Sequence, residues 1–275
     1  MTLRTVAAAA ILAAMTALPA AAQSDMDLHP VAESFIKKQE NKDFFILGGA
    51  AGLYGPVYEG SDEYEFRAFP FALITYKDRF YADPIRGAGA YLLEKGPFRA
   101  GAGVNYSFGR DEEDADILTG MGDINGGAAA EISLEYRPWE MDLPVGPSFT
   151  TRIKHQFTGT DTGTQVELNG GFGFPVAGRM IVRPSLTAEY GSEAYNQAFY
   201  GVTPAQSARS GLPVYDADAG FRSVGAGVFG TYLVTDTWML TGVVTYDRLI
   251  GDAADSPLTQ DENQARVILG VARVF

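Results

Sequence analysis

The sequence predicts an all-β protein, an antiparallel transmembrane β-barrel of about 12 strands, with ten as the alternative count. Three observations carry that reading. Segment after segment alternates apolar and polar side chains, the period of a strand with two unlike faces. The connections alternate between short turns and long polar loops, the pattern of barrels with periplasmic turns and external loops. The chain also opens on an export signal and closes on Phe275.

Arg4 supplies a positive start, Val6 to Leu18 an uncharged apolar stretch, and Ala20-Ala21-Ala22 small residues for cleavage before Gln23. Residues 1–22 are therefore expected to be a cleaved signal peptide, too short to span a bilayer as a helix. No cysteine follows it, which excludes a lipoprotein anchor, disulfides and thiolate metal sites. Residues 23–42 are polar and lack alternation, with Val31, Phe35 and Ile36 as isolated apolar points. They read as a periplasmic N-terminal tail, or else as a docking segment for a periplasmic partner. Residues 43–275 read as one outer-membrane barrel.

The formal charge is −13, and loss of Arg4 with the leader makes it one unit more negative. Such acidity excludes nucleic acid as a partner, because phosphates require a basic surface. Hydrophobic residues make up 46% and aromatics 12% of the chain, yet nothing after the leader resembles a membrane helix. Apolar residues spread over every second position are how a barrel dilutes its membrane signal.

Four segments alternate clearly. In 98–108, Phe98, Ala100, Ala102, Val104, Tyr106 and Phe108 oppose Arg99, Gly101, Gly103, Asn105 and Ser107. The others are 128–137, 165–174 and 180–190. Weaker versions lie at 44–54, 64–76, 79–93, 147–158, 221–234, 237–248 and 264–275. Each is about the length of a tilted membrane strand. Eleven segments conflict with the even count of bacterial barrels. A split of 79–93 at Asp83-Pro84, or a strand before Phe44, restores twelve.

A soluble sandwich alternates too, but two further patterns favour a membrane. Short turns at Pro175–Gly178 and Thr235–Thr237 contrast with long loops at 110–125, 191–220 and 250–263. Aromatics fall into two belts: Tyr106, Phe108, Phe157, Tyr190 and Tyr246 at the loop end, Tyr136, Phe174, Tyr232, Trp238 and Phe275 at the turn end. On the last strand Phe275 shares the lipid-facing register of Ala265, Val267, Leu269 and Val271, and serves as the membrane-insertion signal.

The polar register carries both signs. Arg99, Arg152 and Arg183 stand with Glu131, Glu135, Glu167 and Glu189, accompanied by Arg67, Arg137, Lys154, Arg266, Glu65 and Asp247. Buried charges are costly unless paired, so these read as cross-strand ion pairs in a narrow lumen rather than as a selectivity filter. The run Asp111-Glu112-Glu113-Asp114-Ala115-Asp116 lacks the spacing of a calcium loop and reads as a solvated loop. The two histidines, His29 in the tail and His155 on the lipid-facing register, form no catalytic constellation, and no Gly-x-Ser-x-Gly occurs. A non-enzymatic protein without cofactor or metal is expected.

In the 191–220 loop, Thr203-Pro204-Ala205-Gln206 fits a capping box with proline at the first helical position, and Gly211 can close the helix. A helix at 204–210, flanked by Phe199-Tyr200 and Pro213-Val214-Tyr215, would form an external lid. Phe199, Tyr200, Thr203, Pro204, Gln206 and Tyr215 are the candidate recognition residues of that loop.

Five motifs resemble those of the MipA/OmpV family, the MltA-interacting outer-membrane proteins. They are Tyr58-Glu59-Gly60-Ser61-Asp62-Glu63-Tyr64, Gly120-Met121-Gly122-Asp123-Ile124, the run from Phe199 to Gln206, the run from Ser210 to Tyr215, and Gly251 to Pro257. The similarity spans nearly all of 43–275; Arg273 departs from it, standing where members carry an aromatic two residues before the terminal Phe. The resemblance implies an outer-membrane location, contact with membrane lipid and lipopolysaccharide, and a scaffold joining a lytic transglycosylase to a peptidoglycan synthase. It carries no catalytic residues. A surface adhesin or antigen is the alternative function, and a narrow diffusion channel a third.

Overall fold

A computed structural model describes residues 43–138, 146–160, 162–177 and 179–275. The expected signal peptide 1–22 and tail 23–42 lie outside the described residues. Twelve strands follow one another: β1 (Phe44–Pro56), β2 (Tyr64–Tyr76), β3 (Phe80–Asp83), β4 (Gly87–Lys95), β5 (Phe98–Ser107), β6 (Gly127–Tyr136), β7 (Gly146–Gln156), β8 (Thr164–Ala177), β9 (Met180–Gly191), β10 (Gly220–Leu233), β11 (Trp238–Leu249) and β12 (Asn263–Val274). Each pairs antiparallel with the next, and β12 pairs with β1 from Leu47↔Val274 to Tyr54↔Val267, closing the barrel. Closure leaves no strand edge at the seam, as a membrane demands.

The even count arises at Asp83-Pro84, where the 79–93 segment splits. Asp83 Oδ1 accepts the backbone N–H groups of Ile85 and Arg86 at 2.9 and 2.8 Å, which turns the chain. Gly87 then starts β4 at φ 72°, a conformation open to glycine. The tip of this hairpin folds into the lumen, with Asp83, Ile85 and Arg86 all buried.

Short turns and both strand termini lie at one end, and the long loops 108–126, 192–219 and 250–262 at the other. By the rule for outer-membrane barrels the turn end is periplasmic. The interior has two unlike walls. Glu131, Glu135, Arg152, Arg183 and Glu189 point inward from β6, β7 and β9. From β1, β2 and β10–β12 come Phe45, Leu47, Leu53, Phe69, Phe71, Leu73, Phe229, Met239, Val243 and Ile268, a continuous apolar cluster. Such strands are apolar on both faces, which explains their blurred alternation. Each such side chain contributes about 1.5–3 kcal/mol by leaving water.

The outer face carries exposed Phe66, Leu92, Ile132, Leu186 and Leu269 toward lipid. Phe275 keeps 59% of its surface exposed on that face, and its N–H donates to Ile46 O at 3.0 Å. Arg273 lies over the rings of Trp238 and Phe275 at 5.8 and 5.2 Å, so its charge rests on the periplasmic aromatic belt. Phe108 differs from expectation. It follows the end of β5, where pleating no longer dictates direction, and packs against the interior cluster instead of joining the outer belt.

Candidate functional site

The distinctive site is the loop-end mouth, where a lid is tied to the charged wall. Ser192 caps α1 (Glu193–Tyr200) by accepting from the Tyr195 N–H. The second helix, α2 (Pro204–Ser210), carries the full capping box of Thr203 and Gln206 and ends on Gly211 at φ 79°. Val202 and Tyr215 pair through two backbone bonds of 2.8 and 2.9 Å, cinching the loop around α2. The first helix has no capping box in the sequence, and it is held by what its aromatic residues pack on.

Two apolar clusters fill the lid. Tyr195, Phe199 and Tyr200 pack with Ile124, Ala217, Leu249 and Ala253. Tyr58 packs with Ala115, Leu118, Met121, Val202 and Leu258. All five motif segments thus meet in space, since these residues come from 58–64, 120–124, 199–206, 210–215 and 251–257 or their flanks. Polar ties run between the same loops. Tyr58 Oη donates to Leu258 O and Ser256 Oγ to Tyr200 O, at 2.9 and 2.6 Å. Gln206 Nε2 and Arg209 Nε donate to Met121 O and Gly120 O, at 2.8 and 2.9 Å. Gly60, at φ 101°, donates its N–H to Gln264 Oε1 at 3.2 Å, fastening the first loop to β12.

Below the lid lies Arg222. Its Nη2 sits 2.6 Å from Glu189 Oε2, its Nη1 meets Glu59, and it stacks 5.0 Å from the Tyr195 ring centre. Ser223 Oγ adds a bond of 2.9 Å to the same Glu189 oxygen. Arg222 was missed by alternation for a physical reason. A bulge between Phe221 and Ser223 turns both Arg222 and Ser223 inward, whereas strict pleating puts Arg222 on the lipid register with Val224. A second cation, Arg110, donates to Phe199 O at 2.7 Å beneath the Tyr58 ring. Burial lowers its pKa, and burial raises those of Tyr58, Tyr195 and Tyr200.

The structure distributes the predicted residues unevenly. Arg152 lies 3.3 Å from Glu167, opposite it in register. Glu131 stands across from Lys154 and accepts from Asn105 Nδ2 at 3.0 Å. Glu135 meets Arg137 and accepts from Tyr91 Oη at 3.2 Å. Arg99 is less enclosed than the rest of the set, with 24% of its side chain exposed: its Nε sits 2.7 Å from Glu94 on the neighbouring strand, and it lies 4.5 Å over the Tyr91 ring. Arg183 contacts neutral oxygens, donating to Ser148 Oγ at 2.9 Å and Asn169 Oδ1 at 2.7 Å.

The recognition set needs correction. Phe199 and Tyr200 are buried, Tyr200 at 1% exposure, because α1 folds down onto the mouth. They build the lid instead of facing outward. Tyr215 is half-buried with its hydroxyl on Asp252 O, and the Gln206 amide is spent on Met121. Only Thr203 and Pro204 stand exposed. His155 faces outward and shares a 2.9 Å bond with Thr164 Oγ1.

Between lid and charged wall an internal space of about 50 Å³ is lined by Glu59, Glu131, Arg152, Lys154, Glu189 and Arg222, with Ile85 and Phe108. That is room for a few waters. Roofed by the lid and cross-tied by ion pairs, this end of the lumen is a braced interior.

Comparison with known proteins agrees with this architecture. The family described as MltA-interacting protein MipA matches residues 48–275. Outer membrane protein Omp26La of Vibrio anguillarum and OmpV of Vibrio cholerae are each 28% identical over 67% of this chain and 66% of their own length. The MltA-interacting protein of Escherichia coli is 29% identical over 36% of this chain and 39% of its own. The chain thus spans less than two thirds of the length of the curated relatives it matches. Among solved structures, the NanC porin overlaps 83% of this chain and 98% of its own at TM-score 0.43 and 9% identity. OprB of Pseudomonas putida overlaps 87% and 96% at TM-score 0.45 and 10% identity. With its closed twelve-strand barrel and a match running to the last residue, this outer-membrane chain belongs to the MltA-interacting protein MipA family.

Proposed function

We propose that the chain is a non-enzymatic scaffold in the outer membrane for periplasmic peptidoglycan-remodelling enzymes, namely a lytic transglycosylase and a peptidoglycan synthase. Family membership carries this reading, together with the name of the Escherichia coli relative. A roofed, ion-paired lumen supports it, because a rigid barrel holds its rim in a fixed shape. The rim that periplasmic enzymes meet bears Lys77, Arg79, Lys95 and Arg179 among exposed Phe44, Phe80 and Phe98. Lys77 and Arg179 pair there with Asp43 and Asp236, so the rim offers both charge signs beside aromatic rings, a makeup suited to protein contact. The test is pull-down of the organism's own lytic transglycosylase by the purified barrel; a barrel that retains neither enzyme sinks the scaffold. Export with cleavage before Gln23 belongs to the same reading, and N-terminal sequencing of the mature protein checks it.

A surface adhesin is the second reading, favoured by the exposed tip of α2 at Thr203 and Pro204. Deleting residues 203–211 should then abolish surface binding, and unchanged binding eliminates it. The channel reading predicts stable single-channel steps in a planar bilayer, which a mouth roofed by the lid and paired charges beneath it do not support.

A further inference from the structure

On β8–β11 the lipid-facing wall carries an apolar groove of about 560 Å³. The strand register builds it. One row of outward residues runs Gly170, Leu186, Ala226, Tyr246, each opposite the next across the ladder. The next row toward the turns holds Pro184, Val228 and Val244. Leu186 and Tyr246, 68% and 53% exposed, stand on either side of Ala226, whose single methyl leaves the floor between them low. Their strands lie two spacings apart, roughly 10 Å. A polymethylene chain in contact with a wall on each side occupies about 7–8 Å of that width.

Gly170 sits in a strand interior with φ outside the left-handed region, and an added Cβ there would meet nothing nearer than Phe149 Cδ2 at 3.8 Å. Glycine weakens a strand, and one that neither a turn nor a close neighbour requires marks where a ligand approaches the backbone. Pro184 lacks an N–H for the ladder, and the β8–β9 pairing passes from Gly171↔Ser185 to Phe174↔Val182 around it. What covers the groove follows from its place. It lies on the wall that faces hydrocarbon, and a recess left empty there forfeits dispersion contacts. A second barrel, rigid and convex, meets this wall along a line and does not reach the floor; a flexible chain does. Tyr246 stands at the loop-end belt, its Oη donating to Asn263 Oδ1 at 2.7 Å, so the groove opens on the outer leaflet. The lipid of that leaflet is lipopolysaccharide. Next on the same register, exposed Arg248 holds Glu262 at 2.8 Å through one of its five N–H donors. The others suit a phosphorylated headgroup.

We propose that this groove seats one acyl chain of lipopolysaccharide, packed on Ala226 between Leu186 and Tyr246, with the headgroup beside Arg248. This inference stands apart from the scaffold reading, since it concerns the outer half of the wall and no periplasmic enzyme.

The test starts from the wild-type barrel in vesicles holding equal amounts of rough lipopolysaccharide and phosphatidylethanolamine. Released into mild detergent, it is weighed by native mass spectrometry. The groove predicts one retained lipopolysaccharide per barrel. Ala226→Leu fills the floor and should lower the bound fraction about tenfold, and Gly170→Leu should lower it less. Ala130→Leu makes the same change on the exposed face of β6 and should leave retention unchanged. A heat-modifiable gel shift identifies the variants that fold, and the wild type decides by itself if Ala226→Leu does not. Wild-type retention of lipopolysaccharide no greater than that of phosphatidylethanolamine would overturn the assignment. Equal losses in Ala226→Leu and Ala130→Leu would overturn the site. So would paired barrels that separate on Ala226→Leu, which would make the groove an interface between copies.

Discussion

The two inner walls of this barrel solve one burial problem in opposite ways. Across β6–β9 the interior is charged, and every such group must meet a partner, because an isolated buried charge costs more than any packing returns. Across β1, β2 and β10–β12 the interior is mainly apolar and held by close packing, with Arg222 and the Asp247–Arg266 pair confined to the loop end. The charged groups are specific about partners and registers: Arg152 stands opposite Glu167 within β6–β9, and Arg222 reaches across from β10 to bridge Glu59 and Glu189. The apolar wall is specific only about volume. Beside β2, the neighbouring strand β3 is only four residues long.

This contrast sets how each wall breaks. Arg222→Ala strands Glu59 and Glu189 beneath the lid, and should cost about 3–5 kcal/mol. Denaturant unfolding in detergent micelles, followed by loss of the heat-modifiable gel shift, measures it; a cost no larger than a surface substitution would deny the charged wall its dependence on pairing. On the apolar wall Met239→Ala should cost ~2–5 kcal/mol, rising with the cavity that remains. Salt should change neither loss by much, because the Arg222 pairs are buried and buried pairs are screened far less than surface ones.

The lid gives a pH test. Burial raises the folded-state pKa of Tyr58, Tyr195 and Tyr200 above the ordinary value of 10.0. A raised folded pKa means that their contribution is fully present below pH 10 and drains away as pH climbs toward the folded values. Absorbance of tyrosinate should therefore lag behind that of unfolded protein, and the lid should loosen to protease at alkaline pH while the strands persist. Simultaneous ionisation at the unfolded value would contradict a buried lid. Thr203→Ala removes the α2 cap for about 1 kcal/mol, visible as faster hydrogen exchange confined to 203–211. Smallest is Arg273→Gln, which gives up its rings for ~0.5–1 kcal/mol and should slow insertion into vesicles more than it lowers the stability of the inserted barrel.

Legibility followed the same division. On the charged wall, 98–108 and 128–137 alternate cleanly, because one face meets lipid and the other meets ions, and those strands appear close to where they were expected. On the apolar wall, 44–54 and 64–76 carry apolar residues on both faces, so period two faded although the strands are long and regular. The lid was half legible. The α2 cap is a local signal and was read correctly, whereas α1 and the burial of Phe199 and Tyr200 depend on loops 58–64, 108–126 and 250–262, distant in sequence. Arg222 escaped because one bulge inverts its side, and a bulge leaves no mark in the pattern of residue types.

By itself, then, the sequence determined the barrel class, the turn and loop ends, and the outward setting of Phe275, and it offered Asp83-Pro84 as one of two routes to twelve strands. These depend on period, on local turn chemistry and on the difference between lipid and water, all written within a few residues of each other. Tertiary structure alone decided which loops close the mouth, which acids Arg222 joins, and that β3 pairs with only the last residues of β2. Those outcomes depend on contacts between segments up to two hundred residues apart, such as Tyr58 with Leu258, and no local pattern encodes the meeting of two distant loops.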